Sequence, residues 1–281
     1  MKRGWFRRLP RPLRRPTLIL GVALIAVVAL AALLAPLLLS RAPDALNVSA
    51  RLQPPSAANW FGTDEFGRDV FTRVVYGGRL SLGIGAATAI VSTVLGVTLG
   101  LLAGFSPRLD RVLSRVNDAM MSFPDILLAI ALVAALRPSA ANVVFALGIV
   151  YTPRMARMVR ASTLVIRELP YVEAARALGV STWRILSVHV LRNLLSPIIV
   201  QATFVFAFAM LAEAGLSFLG VGVSPATPSW GTMIASARPY YREADWLAIA
   251  PGLAIMLTVF SLQILGDALR DLLDPRLRGV Q

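Results

Sequence analysis

Residues 173–199 read EAARALGVSTWRILSVHVLRNLLSPII, a basic, amphipathic stretch set between two runs that are almost pure hydrocarbon. Pro170, just upstream, suits the first turn of a helix, where no N–H is needed. Val172, Ala175 and Leu178 then share one face, and Gly179 is placed to end that helix in a left-handed conformation. Ser181 or Thr182 can cap a second short helix over WRILSVHVL. Ser196 and Pro197 read as the cap and first residue of the apolar helix that follows. The stretch is therefore a helix–glycine–helix knob, and its meaning depends on what the flanking apolar runs are.

Those runs are membrane spans. The 281-residue chain is 57% hydrophobic and 15% charged, which is too apolar for an ordinary soluble domain. Thr17–Leu39, Leu80–Phe105, Asn193–Ala212 and Leu247–Gly266 carry no charge, and each meets the roughly 20 residues that a bilayer requires. Ala119–Leu136 is interrupted by Asp125, and Pro138–Pro153 is short but extends into the basic segment after it. The pattern predicts six spans. The first is too long for a signal-peptide core of about 7–15 residues and reads as a retained anchor.

Orientation follows from the basic residues. With six spans, segments 1–16, 106–118, 154–192 and 267–281 share a side and hold 20 of the 28 Lys and Arg. Basic connections mark the cytoplasm, so both termini are expected there. The net charge of +13 tracks this topology and the anionic lipid surface, not nucleic acid. The expected layout is a basic tail (1–16), a first span (17–39), an external segment (40–79), a membrane core (80–276) and a short cytoplasmic tail (277–281). The external segment is dense in Trp60, Phe61, Phe66, Phe71 and Tyr76, rings suited to a membrane interface. Val70, Val74 and Gly77/Gly78 suggest a short interfacial helix before the second span. Within that span Gly96 and Gly100 form a small-xxx-small pair, which permits close helix approach.

The residue inventory excludes most catalysis. Lys2 is the single lysine, so there is no P-loop lysine and the chain is not a Walker-type ATPase by itself. His189 is the single histidine and lies in the knob; with no cysteine, little remains for zinc or copper. No catalytic residue, metal site or cofactor of its own is expected.

A resemblance then becomes specific. EAARALG followed by HVLRN resembles the EAA loop of ABC-importer permeases, with Glu173, Ala174, Ala175, Gly179 and Leu191 on pattern positions. His189 stands where isoleucine is usual, and Arg192 where proline is usual. NWFGTDEFGRDVFTRVVYGGRLSLGIG (59–85), DAMMSFPDILLAI (118–130) and AEAGLSFLGVGVSPATPSWGTMI (212–234) resemble the C-type permease subunits of dipeptide, oligopeptide and nickel importers. The likeness runs over about 17–276. It implies an all-α, type I ABC importer permease fold with six transmembrane helices and a cytoplasmic coupling helix in an EAA loop at about 161–192. It also implies that Glu173, Ala174, Ala175, Arg176 and Gly179 couple to ATPase subunits, which hold ATP and Mg. The implied partners are a homologous second permease, two ATP-binding subunits and an extracytoplasmic substrate-binding protein. The implied cargo is di- or oligopeptides, with nickel or glutathione as alternatives, and the implied location is the cell inner membrane.

The competing reading is an ion-coupled carrier. Carriers often show inverted repeats and several intramembrane acids; here no repeat is visible, and Asp125 and Glu213 are the acids within spans. If the fifth span starts at Pro197, Glu213 lies about 24 Å along it, in the outer part of a hydrocarbon core about 30 Å thick. A carboxylate facing lipid there is costly, so Glu213 is expected to face protein or water. Two roles stay open: a hydrogen-bonded carboxylate near a helix end, or a group lining the translocation path.

Overall fold

The computed structural model describes residues 16–273. The expected terminal tails, and the side of the membrane on which they lie, fall outside the described residues. Among the described residues the architecture is all-helical, apart from one isolated bridge between Thr63 and Asp69.

Helix α1 (Pro16–Leu38) packs against α10 (Trp246–Leu273) and α2 (Val70–Phe105). The chain then folds through α3 (Pro107–Met121), α4 (Asp125–Leu136) and α5 (Ala140–Ile166). The knob follows as α6 (Pro170–Ala177) and α7 (Thr182–Arg184), which continues through a π-helical turn, Ile185–Val190, into α8 (Leu191–Phe218). A short helix, α9 (Trp230–Ala237), precedes α10. Helices α1, α2, α10 and the continuous Thr182–Phe218 segment are long and apolar enough to cross a membrane. The α3–α4 pair, bent by 95°, makes a fifth candidate. Helix α5 carries Arg154, Arg157 and Arg160 in its second half and is not among them, so length and composition support four or five spans where the sequence pattern predicts six.

The most extensive helix contact is between α2 and α5, and glycine makes it possible. A Cβ on Gly96 would sit 2.5 Å from that of Met155; on Gly100, 2.6 Å from that of Val159; on Gly104, 2.6 Å from that of Thr163. No side chain fits these gaps, so the backbones meet along a seam, as small residues allow in membranes. Three apolar cores fill the interior. One joins α2, α4, α5 and α8 around Leu147, Val150 and Leu216. A second joins α2, α8, α9 and α10 around Met210, Trp230 and Leu247. The third lies under the knob, around Met155, Val172, Ile185 and Leu194.

Two expected boundaries are corrected. The short interfacial helix at Val70–Gly78 is instead the first turns of α2, which Asp69 caps by accepting from the Thr72 N–H at 2.8 Å. Pro197 does not start the fifth span; it lies inside α8, which runs unbroken from Leu191. Proline forfeits one backbone bond there, a loss the helix carries because the π turn and α8 form one continuous rod pinned by Ile185, Val190 and Leu194.

The 40–79 segment is folded and tied down. Asp64 accepts from the Phe66 and Arg68 N–H groups, both at 2.9 Å, and from Arg68 Nε at 2.6 Å. Buried Arg73 reaches Asp44 at 3.2 Å and Asp64 at 3.6 Å, and the Trp246 indole donates to the Thr63 carbonyl at 3.2 Å.

Candidate functional site

The knob is anchored on one face and open on the other. Val172 and Ala175 are buried, so α6 is bolted onto the third core beside α5, the π turn and the start of α8. Leu178 does not share that anchoring face as its spacing suggests: it is 83% exposed, because the helix has already closed into its cap by that residue. The cap has Gly179 at φ +74°, with the Gly179 N–H donating to the Arg176 carbonyl and the Val180 N–H to the Ala175 carbonyl, both at 3.0 Å. This is a Schellman motif, which satisfies carbonyls that a helix end leaves free. Glu173, Ala174 and Arg176 are exposed, and the Arg176 guanidinium lies over the Phe105 ring at 5.7 Å. Trp183, which sequence spacing did not single out, is 79% exposed at the start of the second short helix. The tip thus presents Leu178 and Trp183 beside charged Glu173 and Arg176. His189 is half-buried against Tyr171, at 6.1 Å between rings, a packing position.

The knob is tied to the membrane helices. Arg167, at the end of α5, donates to the Gly104 carbonyl at 2.9 Å. Further along, Arg154, Arg157 and Arg160 project from α5 at intervals of three. Arg154 pairs with Asp125 at 2.5 Å, Arg157 with Asp118 at 2.8 Å, and Arg160 with Asp110 through both guanidinium arms. This ladder holds the bent α3–α4 pair against α5. Its arginine spacing is visible in the sequence, whereas its acidic partners, 29 to 50 residues away, are not.

Glu213 occupies a different setting. It is 1% exposed and accepts hydrogen bonds from the Ser217 hydroxyl at 2.8 Å and the Ser229 hydroxyl at 3.0 Å. Ser229 also caps α9 by accepting from the Thr232 N–H at 3.1 Å, so the carboxylate sits against that helix's N-terminus, the end that favours negative charge. The Trp230 N–H donates to Ser81 at 3.0 Å and its indole to the Val74 carbonyl at 2.8 Å, which docks the same junction onto α2. A Cβ on Gly231 would lie 2.7 Å from the Ala214 Cα and 3.2 Å from the Glu213 carboxylate, so α9 approaches α8 with no room to spare. Glu213 faces protein, and the structure does not bring it together with the knob.

This is a helical membrane scaffold carrying a projecting loop, with no group of three or more His, Asp or Glu placed to hold a metal among the described residues. Residues 96–279 match the family described as the binding-protein-dependent transport system inner membrane component. The chain belongs to this family: it is an inner-membrane permease component of such systems. A provisionally named peptide transport system permease protein of Brucella suis is 49% identical over 95% of this chain and 90% of its own length. The dipeptide transport system permease protein DppC of Alkalihalophilus pseudofirmus is 46% identical, covering 93% and 86%. The glutathione transport system permease protein GsiD of Pectobacterium atrosepticum is 45% identical, covering 80% and 75%. In fold, the chain resembles the MetNI methionine ABC transporter in an inward-facing form, with TM-score 0.60 and 20% identity over 72% of this chain and 96% of that one.

Proposed function

We propose that this chain is one half of the translocation pathway of an ATP-driven importer of peptides, with six spans and both termini in the cytoplasm. Its partners are a homologous second permease, two ATP-binding subunits that hold ATP and Mg, and an extracytoplasmic binding protein that delivers cargo. The observation that carries the reading is the knob's division of faces: Val172 and Ala175 are buried, Val172 in the core shared with α5 and α8, while Glu173, Ala174 and the Gly179 tip stand clear for a partner and exposed Arg176 reaches back over Phe105. A body anchored this way transmits a push from an ATPase subunit to two long helices at once. Peptide cargo is supported by relatives named for peptides and dipeptides; glutathione, itself a small peptide, is the second reading because one relative is named for it. For Glu213 we favour the role of anchor between α8 and α9 over that of a pathway group, because both seryl hydroxyls already engage it.

The test is to purify the assembled complex with its binding protein and identify the retained ligand by mass spectrometry. Peptides of two or more residues are expected; nickel, or a ligand that is not a peptide, would overturn the cargo assignment. Reporters fused near Pro55 and Ala235 should read as external and those near Ala177 as cytoplasmic.

A further inference from the structure

Helix α3 has an inner face that the fold uses and two outer flanks that it does not. Asp110 and Asp118 are paired with α5, and Asn117 is buried. One outer flank is apolar: Leu109, Val112 and Val116 are exposed at intervals of three and four. The adjoining flank is basic, with Arg108, Arg111 and Arg115 exposed at the same intervals and in no ion pair among the described residues. At 3.6 residues per turn the two rows are centred about 100° apart on the helix.

The bend sets how these flanks meet the membrane. Helix α4 is wholly apolar beyond Asp125, and α3 leaves it at 95°. With α4, 12 residues and about 18 Å long, standing along the membrane normal as the apolar arm of this broken span, α3 lies in the membrane plane. The excess of basic residues puts that plane on the cytoplasmic side, where anionic lipids attract basic segments. An in-plane helix with one apolar flank and one basic flank has the form of an interfacial helix, its apolar row among acyl chains and its cations at the phosphates. A protein partner covering the apolar row would also have to supply acids for three arginines; an anionic headgroup layer supplies them everywhere.

We propose that α3 is a binding surface for anionic phospholipid, with Arg108, Arg111 and Arg115 taking headgroup phosphates and Leu109, Val112 and Val116 seated in the acyl layer. The inference rests on the membrane orientation proposed above, but its readout is lipid retention, which needs neither ATP nor transported cargo.

Native mass spectrometry of the full-length chain in mixed phosphatidylglycerol and phosphatidylcholine tests it. Wild type should retain phosphatidylglycerol preferentially. Replacing all three arginines with glutamine should reduce that preference by about fivefold per arginine, the equivalent of ~1 kcal/mol each. Replacing them with lysine should preserve it. In the assembled transporter, Val112→Trp should add fluorescence that acyl-chain-brominated lipid quenches. Unchanged phosphatidylglycerol retention in the glutamine variant would overturn the proposal. So would the absence of added quenching at position 112, the result expected if the second permease covers this flank.

Discussion

Helices α6 and α8 end in the same backbone device and serve opposite purposes. Gly179 and Gly220 both take positive φ, +74° and +80°, and each closes a Schellman motif, the second through bonds from Gly220 to Ser217 and from Val221 to Leu216. A Cβ at either glycine would meet nothing within 4 Å, so conformation and not space demands glycine there. Around Gly179 the chain turns outward and leaves Leu178 and Trp183 bare. Next to Gly220, Ser217 turns inward to Glu213, and the carboxylate collects α9 through Ser229. A cap motif ends a helix; the side chains one turn back decide whether that end becomes a tip or a joint.

The largest effect should come from breaking the joint. Glu213→Ala removes the acceptor of two buried hydroxyls and should destabilise the protein by about 1–3 kcal/mol, read as a lowered unfolding midpoint in detergent. Glu213→Gln keeps an acceptor oxygen and should lose less. If Glu213 is an anchor, the glutamine variant should also transport differently charged cargo in wild-type proportions. Changed cargo preference with an unchanged midpoint would return Glu213 to the pathway.

A smaller cost is expected at the tip. Gly179→Val must hold a β-branched residue in the left-handed region, at roughly 1–2 kcal/mol. Because Gly179 is exposed, the protein should still insert and fold, while substrate-stimulated ATP hydrolysis in the complex falls. Gly179→Asn, which tolerates this backbone, should recover most of the activity. Full hydrolysis with valine would mean that the cap geometry is irrelevant to coupling.

The smallest change in stability belongs to Leu178→Ala and Trp183→Ala. Both side chains are mostly exposed, so each variant should unfold within ~0.5 kcal/mol of wild type. Co-purification of the ATPase subunits should nevertheless weaken. Undiminished recovery of the complex would remove these two residues from the docking surface.

Much of this was legible in the sequence, because the governing rules are local. Charge-free runs name the long apolar helices, a glycine after an amphipathic turn names its cap, and Gly96/Gly100 name a close helix contact. The knob's buried pair, Val172 and Ala175, followed from spacing. What failed was set by distant partners. Leu178 has the spacing of a core residue, yet the cap turns it out. Pro197 looks like a helix start, but the preceding turn is held helical by contacts with α5 and α6. The Asp110, Asp118 and Asp125 pairings, and the serines that meet Glu213, join residues that sequence proximity does not connect. The arginines in the second half of α5 are visible in the sequence, but not that the ladder engages all three.

Helix α2 runs 36 residues without a proline, about 54 Å at 1.5 Å per residue. That is well beyond the hydrocarbon thickness of a bilayer, about 30 Å. Near its N-terminal end Arg73 is gripped by Asp44 and Asp64, and at its C-terminal end Phe105 lies beneath Arg176 while the Gly104 carbonyl accepts from Arg167. One unbroken member therefore joins the Asp44–Arg73–Asp64 charge knot to the base of the knob. Mechanically α2 is a strut: it cannot shorten, so a displacement imposed at either end reaches the other as tilt or rotation. The glycine seam fastens that strut to α5 at Gly96, Gly100 and Gly104.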